Sequence, residues 1–144
     1  MLHPQPDWNS PRSLADALAS CAHAHDASSS TGASERLLDA VGNNHAGTYF
    51  PVVLDAVSAM HAVLDQGSPW AQRSVLEVLL DVHSAFQPEA AFEMYQGRRL
   101  DDTLRERIAM LAPLVVRIAK ATTVASGSAA ELQLLLGSSM SGNV

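Results

Sequence analysis

"SPWAQRSVLEVLLDVHSAF", residues 68–86, decides how this chain folds. Ser68 suits an N-cap, because its hydroxyl can accept one of the N–H groups that a helix start leaves unpaired. Pro69 then falls at the first helical position, where its missing N–H costs little. From Trp70 to Phe86 apolar side chains occur almost all round: Val75, Leu76, Val78, Leu79, Leu80 and Val82. Only Arg73, Glu77 and Asp81, spaced by four, mark a solvated strip. A helix this apolar is covered on more than one side, so the pattern predicts a central helix over 69–86.

The flanking segments are helical as well. Phe50, Val53, Leu54, Val57, Met60 and Leu64 recur at spacings of three and four, which predicts a helix over 49–66. Thr48 is its expected N-cap, with Pro51 in the first turn. Only "GS" parts this helix from the central one, so the two form an antiparallel hairpin. Upstream, Ser10 and Pro11 open a helix over 11–25 whose apolar face holds Leu14, Leu18, Cys21 and Ala22. "DASSSTG", 26–32, reads as a loop by composition. A short helix over 33–41 ends at Gly42, which suits a left-handed cap. Downstream, a connector with one helical turn over 89–95 leads to a helix over 101–125, which Pro113 interrupts. Ser128 and Glu131 form the capping box of a last helix, 129–136.

No segment alternates like a strand between hairpin turns, so the expected class is all-α. Three stacked antiparallel hairpins of about forty residues match the period of HEAT or armadillo repeats. A compact irregular helical bundle is the competing architecture. Residues 1–136 are expected to form one domain and 137–144 a flexible C-terminal tail.

Composition narrows the chemistry. The net charge is −6, which argues against direct nucleic-acid binding, because phosphate contact needs clustered Lys and Arg. Residues 1–97 hold eleven acids against Arg12, Arg36 and Arg73, while 98–144 hold four acids against six bases. The first two-thirds therefore carry a negative field that attracts basic partners. "MLHPQPDWNSPRS" has no basic region followed by an apolar block, and no run is long enough to span a bilayer. The expected location is the cytoplasm, with no membrane partner. Cys21 stands alone, which excludes an internal disulfide and a cysteine-based zinc site, and its helical spacing makes it core filler.

Catalytic signals are sparse. None of the six histidines stands four residues from another, and no H-E-x-x-H motif occurs, so no metal or other cofactor is expected. His61 and His83 fall on apolar helix sides and read as satisfied, partly buried histidines. Arg98, Arg99, Arg105 and Arg107 alternate with Asp101, Asp102 and Glu106, the pattern of ion pairs on a helix surface. "GNNHAGTY", 42–49, reads as a helix end, a corner and a helix start, with His45 locking the corner through helix-end carbonyls. A small enzyme or ligand-binding protein would instead gather His45, Tyr49, Glu89 and Tyr95 around a pocket.

"LLDAVGNNHAGTYFPVVLDAV", followed by "GSPWAQRSVLEVLLDV" and "FQPE", resembles a group of small bacterial HEAT-like proteins over residues 33–95. Some small acidic helical proteins of this kind resemble immunity proteins of contact-dependent growth inhibition and related toxin systems. That resemblance, with the acidic charge, implies a non-enzymatic protein whose partner is a cognate toxin domain, such as a basic nuclease. The expected binding surface is the acidic strip of Asp55, Asp65, Glu77 and Asp81, beside the loop of Asn44, His45 and Tyr49. A generic HEAT-like scaffold with another protein partner is the remaining alternative.

Overall fold

The computed structural model describes residues 3–141, with side chains through residue 137. Seven α-helices dominate these residues: α1 (Ser13–Ala22), α2 (Ala27–Val41), α3 (Val53–Gln66), α4 (Pro69–Leu80), α5 (Leu100–Ala109), α6 (Ala112–Lys120) and α7 (Ser126–Ser141). They pair as α1–α2, α3–α4 and α6–α7, with α5 laid against α3. The middle pair lies between the other two: α4 packs on α2 and α7, while α3 packs on α1, α5 and α6. One core runs from Leu14 to Leu136, and α4 lies within it through Val75, Leu76, Val78 and Leu79. The all-α class and the central position of 69–80 are as the hydrophobic pattern predicts; the third pair differs, since α6 alone pairs with α7 while α5 packs on α3. Among the described residues no helix is long and apolar enough to cross a membrane.

Local differences from expectation have identifiable causes. "DASSSTG" is mostly helix, since α2 begins at Ala27. Asp26 accepts the Ser29 N–H at 2.7 Å, and Ser29 Oγ accepts the Asp26 N–H at 3.1 Å, a reciprocal cap. The serines that resemble a loop are interface residues: Ser30 Oγ donates to the Trp70 carbonyl at 3.0 Å and Ser34 Oγ to that of Ser74 at 2.7 Å. Their small size lets α2 approach α4.

Gly42 is extended rather than left-handed, with φ −179°. It opens β1 (Gly42–Asn43), antiparallel to β2 (Thr48–Tyr49), which lies parallel to β3 (Gln87–Pro88). Thr48 is thus a strand residue, and α3 starts later, at Val53. The helix expected over 69–86 turns α-helical at Pro69, with Ser68 capping the Ala71 N–H, and widens into a π turn over Asp81–Ala85. The connector makes a 3-10 turn over Ala90–Phe92, then a hairpin of β4 (Met94–Tyr95) and β5 (Arg98–Arg99). Gln96 and Gly97 supply its positive φ angles, 53° and 81°.

The break between α5 and α6 falls at Met110–Leu111, ahead of Pro113, because proline fits only in the first turn of the new helix. Helix α7 begins at Ser126, whose Oγ accepts the Thr123 N–H at 2.8 Å. Ser128 is therefore no cap; its hydroxyl donates to Glu77 at 3.0 Å. Of the expected tail 137–144, the backbone through Ser141 is helical and 142–144 lie outside the described residues.

Candidate partner-binding surface

The corner at 42–49 is built from backbone and amide groups. Asn43 Oδ1 accepts the Ala46 N–H at 3.0 Å, and Gly47 turns the chain at φ +69°. Asn44 accepts the Gly47 N–H through its carbonyl. The strand β3 closes the corner, with the Gln87 and Glu89 N–H groups donating to Gly47 and Tyr49. His45 is exposed, and no described hydrogen bond involves its ring. The lock is Asn43, whose short amide reaches the turn backbone, and not His45.

Tyr49 belongs to the core, 1% exposed, so its side chain does not face the surface of the loop. Burial raises its phenol pKa, and the carboxylate of Asp101 adds to the rise. The four pocket residues of the enzyme alternative take separate partners. Glu89 accepts the Thr48 hydroxyl at 2.7 Å, Tyr95 Oη shares a hydrogen bond with His3 Nδ1 at 2.6 Å, Tyr49 is buried and His45 meets solvent. Among the described residues no three His, Cys, Asp or Glu side chains gather as a metal site.

The four acids of the strip are differently engaged. Asp55 accepts the His3 backbone N–H at 2.8 Å. Asp65 pairs with Arg117 of α6 at 3.1 Å. Glu77 meets Arg73 at 3.8 Å and Ser128 of α7. Asp81 lies beside Glu77, and burial and then that like charge push its carboxyl pKa up. Only Glu77 and Asp81 are thus neighbours by charge, while Asp55 and Asp65 serve the N-terminal arm and α6. The arginines after the connector form ion pairs as their alternation predicts. Arg98 grips Glu106 through two bonds of 2.9 and 2.7 Å, and Arg99 and Arg105 share Asp101. Both acids are held below their usual pKa, chiefly by hydrogen bonds from Arg99 to Asp101 and from Arg98 to Glu106.

Two histidines depart from expectation. His61 is exposed, at the rim of a groove of about 440 Å³ between α3 and α5 that also holds Val57, Arg107 and Met110. His83 is buried as expected, 5% exposed, but only Nδ1 has a partner, Ser84 Oγ at 2.8 Å; Nε2 has none. Burial, and then the charge of Arg105, lower its pKa from 6.5. The unfolded chain therefore takes up this proton first as pH falls. Stability carried by neutral His83 is complete above pH 6.5 and is lost on acidification. Urea midpoints measured between about pH 7 and 5 are expected to fall less steeply in His83→Leu than in the parent.

A surface feature that hydrophobic periodicity does not report stands at the corner end of the stack. Trp8, Phe50, Phe92, Tyr95 and His3 form a continuous run of rings. Successive centroids are 6.1, 5.6, 6.3 and 5.5 Å apart, mostly edge to face. Trp8 is 60% exposed and Met94 61%, while Phe50, Phe92 and Tyr95 are half-buried. The arm carrying His3 and Trp8 is strapped down: Pro4 accepts the Val52 N–H, Trp8 Nε1 donates to the Asp39 carbonyl at 3.1 Å, and Asn9 Nδ2 donates to that of Ala40 at 2.7 Å. One sequence signal points to the run. Trp8, Phe50 and Phe92 recur every 42 residues (8, 50, 92), ahead of α1, α3 and α5.

Comparison with known proteins finds no match to a family model, a curated protein or a solved structure.

Proposed function

We propose that this chain is a non-enzymatic protein-binding protein that neutralises a cognate toxin domain, as the immunity proteins it resembles do. The observation that carries the reading is a negative field left open to partners. Of the eleven carboxylates in residues 1–97, only Asp65 and Glu77 are paired with an arginine among the described residues, which leaves nine, Asp26 among them beside His25. Four of the six bases in 98–144 are engaged by carboxylates: Arg98, Arg99, Arg105 and Arg117. A stack of hairpins also offers a broad, stiff surface suited to another protein.

The test is to take the product of the neighbouring gene, where this reading expects a toxin domain, and co-express it with this chain. The expected result is restored growth and a stable complex on size-exclusion chromatography, with an association rate that falls steeply with salt. Charge reversal at Glu77 and Asp81 together is expected to slow association about tenfold at low salt. An unchanged rate removes that strip from the interface. A toxin that stays active and unbound overturns the reading.

A further inference from the structure

We propose that the ring run of Trp8, Phe50, Phe92 and Tyr95 is the docking surface for an arginine-bearing segment of a protein partner. This inference rests on the protein-binding reading above and names the surface and the chemistry of its occupant.

Two independent features meet at the run. The first is apolar: partly exposed aromatic rings, an exposed Met94 and a strapped arm that holds Trp8 in place. Aromatic side chains fixed on a stiff support are what interface centres use, since they bring much contact area at little entropic cost. The second is charge. Asp7 precedes Trp8, and Asp39 holds the indole N–H through its carbonyl. Asp55 holds the backbone of His3, and Glu89 accepts the Phe92 N–H through its carbonyl. Glu93 follows Phe92. None of these five carboxylates is in an ion pair among the described residues.

Two of the nearby bases are held by carboxylates, and a third, Arg36, keeps its charge. Arg98 and Arg99, opposite Tyr95 and Met94 in the β4–β5 hairpin, are held by Glu106 and Asp101. Arg36, in the groove beside Trp8, donates to Ser20 at 2.7 Å. Asp55 and Glu89 already accept the His3 N–H and the Thr48 hydroxyl, so Asp7, Asp39 and Glu93 are the carboxylates without a described side-chain partner. Rings with such carboxylates beside them suit a guanidinium, which stacks on an aromatic face while its N–H groups reach a carboxylate. The chain already uses half of this pairing, with Arg73 placed 5.4 Å over the Trp70 ring. A second copy of the chain would bring the same acids against these, and nucleic acid or an anionic membrane would be repelled in the same way.

The probe is a fluorescein-labelled peptide of alternating arginine and glycine, followed by anisotropy at low salt. Wild type is expected to bind it, to bind the lysine version more weakly, and to ignore a glutamate version. Trp8→Ala is expected to weaken binding about fivefold. The triple variant Asp7→Asn/Asp39→Asn/Glu93→Gln, which alters only exposed groups, is expected to weaken it about tenfold. A control with the same charge change elsewhere, Glu35→Gln/Asp102→Asn/Glu131→Gln, is expected to stay within about twofold of wild type. Equal losses in the triple variant and the control, or full binding by Trp8→Ala, overturn the proposal. So does self-association in sedimentation that Trp8→Ala abolishes, because the occupant is then a second copy. Toxin neutralisation separates the two readings. If wild type and the ridge variants neutralise equally well, the ridge falls and the function stands. If wild type neutralises nothing yet binds the peptide through Trp8, the function falls and the ridge stands.

Discussion

Gly42→Ala is expected to destabilise the protein by about 3 kcal/mol or more, the range of overpacking and strain at a site with no room to yield. The reason is a close approach of two backbones. A Cβ on Gly42 would stand 2.1 Å from the Thr48 carbonyl oxygen, 2.6 Å from Tyr49 Cα and 2.9 Å from Thr48 C. These are main-chain atoms of the paired strand β2, so no rotamer change relieves the clash. Relief requires β1 and β2 to part. That would loosen Tyr49, the largest fully buried side chain, and the β3 contact that carries Gln87 and Glu89. Two glycines calibrate the measurement. Gly47 has φ +69°, but a Cβ there would meet only Phe86 Cδ1 at an ordinary 3.8 Å, so alanine is expected to cost only about 1–2 kcal/mol from the left-handed backbone. Gly32 lies in α2 with nothing within 4 Å, so alanine there is expected to stabilise by up to about 1 kcal/mol. Urea unfolding of the three variants checks the order. A Gly42→Ala midpoint equal to wild type would show that the strands separate at no cost.

Gly42 also shows where sequence reading reaches its limit. A glycine after a helical run announces a special backbone position, but not which one. Left-handed caps and close strand approaches both use glycine, and only the partner strand tells them apart. Signals carried within one segment are legible: the Ser68–Pro69 start, the apolar belt of α4 and the three-four spacing of α3 appear in the structure within a few residues. Signals that need a distant partner are not. Ser30 and Ser34 look like loop residues until the Trp70 and Ser74 carbonyls are placed beside them, forty residues on. The surface behaves likewise. Asp65 reads as a free acid on the solvent side of a helix, yet Arg117 sits against it across 52 residues. Trp8 lies in a proline-rich arm without periodicity, so nothing local places it beside Phe50.

Leu79→Ala is expected to cost about 2–5 kcal/mol, the range for emptying a fully buried leucine site. Natural domains hold about 5–15 kcal/mol in all, so this one truncation removes a large part of the reserve. Its position makes the result informative about the whole stack. Leu79 is fully buried on α4, the helix that touches α1, α2, α3 and α7. If the hairpins were nearly independent units, as in long repeat arrays, emptying the middle one would split unfolding into steps. With one core running from Leu14 to Leu136, the cavity instead weakens both interfaces of the middle hairpin at once. The expected outcome is a single transition at a lower urea midpoint, with circular dichroism and tryptophan fluorescence coincident. Trp8 reports the arm over the first hairpin and Trp70 the start of α4, so single-tryptophan versions made with Trp8→Phe and Trp70→Phe follow the two regions separately. Leu134→Ala, at a leucine 73% exposed on α7, is the matched control and is expected to shift stability by no more than about 0.5 kcal/mol. Two separated transitions in Leu79→Ala would mean that the hairpins hold together only through α4 and fold as units.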